Sequence, residues 1–188
     1  MKTTKCLFGL LILMAVSITA SAQMGKGEPP HTVPDIMDHA VGPAEGEIVP
    51  AAEAMPEDKY SFAPTNGEFK GVRTFAQQIK HIAAVNYLIG AAILEEKPPV
   101  ELGGENGPDS IASKADTVKF LKDSFAYSHK ALKSINEKNQ TDAIKSPFGE
   151  GKMSRMGAAT ILLWHPFDHY GQMVEYLRMN GIVPPASR

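Results

Sequence analysis

The sequence predicts an all-α protein, a single four-helix bundle. Three observations carry this reading: four stretches place apolar residues at helical spacing, turn-rich segments separate them, and no stretch alternates apolar and polar residues as a strand does. There is no internal repeat.

The first 22 residues, MKTTKCLFGLLILMAVSITASA, join two lysines, an apolar run from Leu7 to Val16 and Ala20-Ser21-Ala22. This is the pattern of a secretory signal peptide with an A-x-A cleavage site, the apolar run being too short for a permanent membrane anchor. The reading predicts an exported protein, periplasmic or secreted, that begins at Gln23. Residues 23–42 are rich in Gly, Pro and polar side chains and read as a flexible leader, with the bundle domain over 43–188.

The first helix is predicted between Pro43 and Met55, where Ile48, Ala51, Ala52 and Met55 share a face and Pro50 marks a bend or restart. The segment PEDKYSFAPTNGEFKGV is a loop under which Tyr60 and Phe62 pack. A second helix opens at Thr74, with Gln77 in capping-box position. Its apolar stripe of Phe75, Ile79, Ile82, Ile89 and Ile93 lies beside another of Val85, Leu88 and Ala92, a width that suits a central helix. The Gly-rich stretch ELGGENGPDS ends it as a loop.

The third helix starts near Ser113 and aligns Val118, Leu121, Phe125, Leu132 and Ile135, with lysines and acids covering the other side. Residues 136–151 read as a polar connection broken by Pro147. The fourth helix begins around Met153 and carries Ala158, Ile161, Leu162, Met173, Tyr176 and Leu177 to Asn180, where Gly181 supplies a C-terminal cap.

Composition excludes several function classes. The single cysteine, Cys6, lies in the segment predicted to be removed, so the mature chain has no thiol for nucleophilic or redox chemistry, disulfides or iron–sulfur clusters. Loss of Lys2 and Lys5 leaves 17 basic against 21 acidic residues, a balance that recruits neither nucleic acid nor an anionic membrane face. After signal cleavage no membrane partner is expected.

Among the six histidines, His31 and His39 fall in the leader and read as solvated, and His129 reads as a surface residue. His81 adjoins Ile82 on the most apolar helix, where a hydrogen-bonded core histidine and a ligand are both plausible readings. In WHPFDHYGQ, His165 and His169 stand four residues apart, the helical half of many metal sites. A third imidazole from a facing helix would complete such a site, and His81 is the candidate so placed. Three neutral imidazoles leave coordination positions open and suit zinc or nickel better than magnesium or calcium.

Pro166 complicates the pair, because it removes a backbone donor and biases His165 away from helical angles. The sequence therefore predicts a kink or restart there and ranks His169 and His81 above His165 as ligands. Asp168 reads as a helix-surface carboxylate, and Gln172 and Tyr170 read either as supports for the ligands or as packing residues. A ferritin-like di-iron site is excluded, since none of the predicted helices carries Glu-x-x-His. Met153, Met156, Met173 and Met179 are accounted for as core filling without invoking haem.

MPEDKYSFAPT, then QIKHIAAVNYL, then KADTVKFLKDSFAYSHKAL and finally HPFDHYGQMVEYLRMNGIVPPAS resemble, in this order, the DinB-like (DinB/YfiT) superfamily, and most closely its exported bacterial members. The resemblance spans about Ala51 to Ser187. It implies an up-down-down-up bundle with one divalent metal held by His81, His165 and His169, and homodimers are common among its members. It also implies a metal-dependent hydrolase, or a transferase acting on thiols or other groups, with a small-molecule substrate. A non-catalytic binding or stress-related bundle, its metal structural or absent, is the alternative.

Overall fold

A computed structural model describes residues 31–188. The predicted signal peptide and the start of the predicted leader lie outside the described residues. Four helices form the body: α1 (Val33–Ala54), α2 (Phe75–Leu94), α3 (Lys114–Lys133) and α4 (Arg155–Met179).

Side-chain pairs fix their directions. Glu53 near the end of α1 reaches Lys114 and Lys122 near the start of α3, whereas Asp38 near the start of α1 reaches His129, so α1 and α3 run antiparallel. Asn86 of α2 donates to Ser124, and Tyr127 farther along α3 reaches Glu96 just beyond α2, so these two helices run parallel. Gln78 meets Gln172 while Arg155 reaches the carbonyl of Ile93, so α2 and α4 run antiparallel. The order is up-down-down-up, as the sequence implies. The long α2–α3 connection is required because parallel neighbours must be joined across the length of the bundle.

Local signals operate as read. Thr74 and Gln77 form a reciprocal capping box, the Thr74 hydroxyl accepting from the Gln77 amide at 3.2 Å and the Gln77 side chain from the Thr74 amide at 2.8 Å. Ser113 caps α3, and Gly181 takes the left-handed conformation just past α4. Phe75, Ile79, Ile82, Ile89 and Ile93 are fully buried with Leu121, Phe125 and Leu132. Each such side chain contributes roughly 1.5–3 kcal/mol. Tyr60 packs edge-on to Phe75 and donates to the Ala52 carbonyl, anchoring the loop above.

Four expectations are corrected. α1 begins at Val33 and not near Pro43, so much of the predicted leader is helix. Thr32 caps it by accepting from the Asp35 amide, and Asp38 ties its first turns to His129 and Lys133 of α3. His129 is accordingly not a free surface residue: it is half-buried, with Asp38 at 2.6 Å on one ring nitrogen and Glu45 at 3.2 Å on the other. The connection before α4 carries a two-stranded antiparallel hairpin, β1 (Ala143–Lys145) and β2 (Lys152–Ser154), with Ile144 buried opposite Met153.

The fourth correction concerns Pro166. α4 continues through it as one helix, as α1 does through Pro43 and Pro50. Pro166 is buried, and the helix is kept despite the roughly 3 kcal/mol that an interior proline costs. No helix among the described residues is long and apolar enough to cross a membrane.

Candidate metal centre

His81 lies on the second turn of α2, and His165 and His169 lie on one face of α4. Because these helices are antiparallel neighbours, the three rings converge. Their centroids are 5.1 Å apart for His81–His165, 4.6 Å for His81–His169 and 4.6 Å for His165–His169. One nitrogen from each ring lies within 4.8 Å of the other two. His165, ranked last because of Pro166, is fully part of the cluster. Its Nε2 stands 3.2 Å from Nε2 of His81.

Hydrogen bonds fix two of the rings. The Nδ1 of His81 is 2.6 Å from the carbonyl oxygen of Glu105, which can only accept, so Nδ1 carries the proton and Nε2 a lone pair. The Nδ1 of His169 donates to Oε1 of Gln78 at 2.7 Å, and Nε2 of Gln78 donates to Oε1 of Gln172 at 2.7 Å. His169 is thus also held with a lone pair on Nε2. The Nδ1 of His165 is a buried polar atom without a hydrogen-bond partner.

This donor set fits a divalent cation. Two nitrogens bound tetrahedrally to one ion at about 2.0–2.1 Å stand about 3.3 Å apart. The His81–His165 separation of 3.2 Å is nearly that, and without a metal the same contact is a hydrogen bond in which the His165 Nε2–H donates to the lone pair of His81 Nε2.

Electrostatics keep the rings neutral. Burial pushes the His165 imidazole down to about 3, with His169 and His81 adding in the same direction and Asp168 opposing. Burial also pushes His169 down to about 4, followed by the effects of His81 and Arg73. His81 is lowered by burial and by Arg73, against the opposing pull of the Glu105 carbonyl. Neutral imidazoles are the metal-binding form.

A pH prediction follows for the metal-free protein. Histidines with folded pKa values below 6.5 take up protons more readily in the unfolded chain, so stability falls as pH drops from about 6.5 toward 4. Above about 7 these groups contribute no slope. Melting temperatures of the metal-free wild type should therefore fall more steeply between pH 7 and 5 than those of the H81A/H165A/H169A variant. Parallel curves would contradict the buried, neutral cluster.

The loop that supplies the Glu105 carbonyl is itself fixed. Lys80, buried beside His81, donates to the carbonyls of Pro108 at 2.9 Å and Ile111 at 3.2 Å. Arg73, just before α2, donates through Nε to the Glu105 carbonyl at 3.3 Å and through Nη2 to its carboxylate at 3.0 Å. Trp164, the only tryptophan, is exposed and stands edge-on to His165 with ring centroids 5.9 Å apart.

Of the proposed supports, Gln172 is present, acting through Gln78. Tyr170 instead lies beside Glu47 of α1, where burial and that carboxylate push its hydroxyl up. Asp168 is exposed, and so is His39. Sequence reasoning missed Gln78, Glu105 and Arg73. Gln78 carried a usable signal, a polar residue three positions before His81 on an otherwise apolar helix face. Glu105 contributes a backbone carbonyl, which no residue type announces.

The profile of the DinB superfamily matches residues 44–173. Solved structures share the fold at low identity. A DinB-like protein from Bacillus cereus ATCC 10987 has a TM-score of 0.61 at 18% identity, covering 79% of this chain and 93% of its own. A conserved protein from Enterococcus faecalis has a TM-score of 0.63 at 16% identity, covering 79% and 97%. YfiT from Bacillus subtilis, a probable metal-dependent hydrolase with an unusual four-helix bundle topology, has a TM-score of 0.57 at 15% identity, covering 85% and 96%. No curated protein matches the chain. With the superfamily profile covering most of its length and its helices arranged as an up-down-down-up bundle, this chain belongs to the DinB superfamily.

Proposed function

We propose that the protein is an exported metal-dependent enzyme, a hydrolase or a thiol or group transferase, in which His81, His165 and His169 hold one zinc or nickel ion. The observation that carries this reading is the convergence of three neutral imidazoles from two helices, two of them with lone pairs fixed on Nε2. The metal-dependent hydrolase description of YfiT, a structural neighbour, supports the reaction class. Such an ion would supply Lewis acidity, polarising an electrophile and acidifying water or a thiol.

The chain's own residues set the conditions for that chemistry. Gln78 and the Glu105 carbonyl orient their rings, and burial keeps the imidazoles unprotonated. Three protein ligands leave room for a small-molecule substrate. The test is a screen of ester and thiol-dependent substrates with protein stripped of metal and reloaded. Turnover lost on chelation and restored by zinc or nickel supports the enzyme.

One observation favours the alternative, a non-catalytic binding bundle. Among the described residues no carboxylate is hydrogen-bonded to the three rings, and a cavity of about 730 Å³ lies farther along α2, lined by Leu88, Ala92 and Lys145 and by none of the histidines. Absent turnover, with metal removal lowering only the melting temperature, would select that reading.

The support given by Gln78 is open to a direct check. Gln78→Leu removes the acceptor of His169 Nδ1–H while conserving bulk, and should weaken nickel binding about 10–100-fold. Quenching of Trp164 fluorescence during a nickel titration reads this, since the indole adjoins His165. Equal affinities would remove Gln78 from the site.

A further inference from the structure

We propose that Arg73 and the open side of the histidine cluster form a subsite for an anionic group of the ligand, a carboxylate or a phosphate. This rests on the reading that the three histidines hold a divalent ion.

Arg73 is placed with unusual firmness for a loop residue. Its own carbonyl accepts from the Tyr176 hydroxyl at 3.0 Å, pinning the main chain to α4. Its guanidinium Nε binds the same Glu105 carbonyl oxygen that holds His81 Nδ1, at 3.3 Å and 2.6 Å respectively, so the fixed cation adjoins the cluster through a single atom.

The charge count around the rings is therefore lopsided. Neutral imidazoles leave the charge of a dication uncompensated, and arginine adds to it. The nearest opposing groups are weak competitors. Asp168 is exposed, and the Glu105 carboxylate, though 3.0 Å from Arg73, is 86% exposed, which places that pair among surface salt bridges worth about 0–1 kcal/mol. A guanidinium has five donors in a planar fork, and Glu105 uses two of them. An incoming carboxylate or phosphate can displace the exposed Glu105 side chain without disturbing its backbone carbonyl, and so without releasing His81.

Cobalt(II)-loaded protein, followed by its visible absorption during titration with acetate at constant ionic strength, tests this without relying on turnover. The wild type should show an acetate-dependent spectral change. Arg73→Gln should weaken acetate binding at least tenfold, and Glu105→Gln, which keeps the backbone carbonyl, should strengthen it two- to fivefold. Acetate titrations are made on protein saturated with cobalt, so that any change of cobalt affinity in a variant stays out of the comparison. Opposite signs in the two variants cannot arise from general damage to the fold. Acetate affinity unchanged by Arg73→Gln, lowered equally by both variants, or absent in a wild type that binds cobalt, overturns the subsite alone. A wild type that takes up no cobalt overturns the metal reading and the subsite with it.

Discussion

His81→Ala, His165→Ala and His169→Ala should each abolish retention of zinc or nickel through dialysis, while the metal-free variants keep their helical circular dichroism. The rings contribute one nitrogen apiece, and the three nitrogens lie within 4.8 Å of one another, so no ligand is redundant. Zinc sites with four protein ligands bind with about 10–16 kcal/mol, which sets the loss of one ligand on the order of 3 kcal/mol, at least a hundredfold in affinity. His165→Ala is the most informative of the three. The sequence ranks this residue last because Pro166 follows it, whereas the structure places its Nε2 3.2 Å from that of His81. Elemental analysis that finds full metal in His165→Ala would restore the original ranking and reduce the site to two histidines.

Gly107→Ala should destabilise the fold by about 2–5 kcal/mol and weaken metal binding as well. Gly107 has φ +75, a left-handed conformation that costs a side chain about 1–2 kcal/mol. A Cβ there would lie 2.5 Å from Cβ of Lys80 and 3.0 Å from its carbonyl oxygen, so backbone must shift as well as side chain. Overpacking of this kind costs about 1–3 kcal/mol. The displaced loop is the one that brings the Glu105 carbonyl to His81, which links the stability loss to the metal. Gly46→Ala, in α1 with open space around the new Cβ, provides the control and should stabilise slightly. A Gly107→Ala protein with wild-type melting temperature and metal affinity would show that the loop does not position His81.

What the sequence disclosed depended on whether the signal was local. The capping box at Thr74 and Gln77, the buried isoleucine stripe of α2 and the Gly181 cap are periodic or short-range features, and each is found where the spacing puts it. The first half of α1 was missed although Thr32 and Asp35 mark its start locally, because the contacts that tie it to α3 are tertiary. Asp38 and Glu45 meet His129 across more than eighty residues of chain, and no window of sequence joins them. The hairpin escaped notice because its strands are three residues each, too short to establish alternation.

At the site the same division holds. Three histidines could be named from residue type and spacing, because imidazole chemistry is written in the side chain. Their supports could not all be named: Glu105 acts through a carbonyl, and Arg73 reaches the cluster only because the α2–α3 loop folds back over the start of α2. Pro166 misled for a physical reason. Its local cost is real, but α4 runs through it as a single helix with the proline side chain buried.

X-ray absorption at the metal edge of zinc- or nickel-loaded protein tests the central claim most directly, because it counts the imidazoles on the ion. Three histidine rings, with metal–nitrogen distances of about 2.0–2.1 Å, are the predicted result. A shell of oxygen ligands without imidazole scattering, or protein that cannot be loaded with either metal, would contradict it.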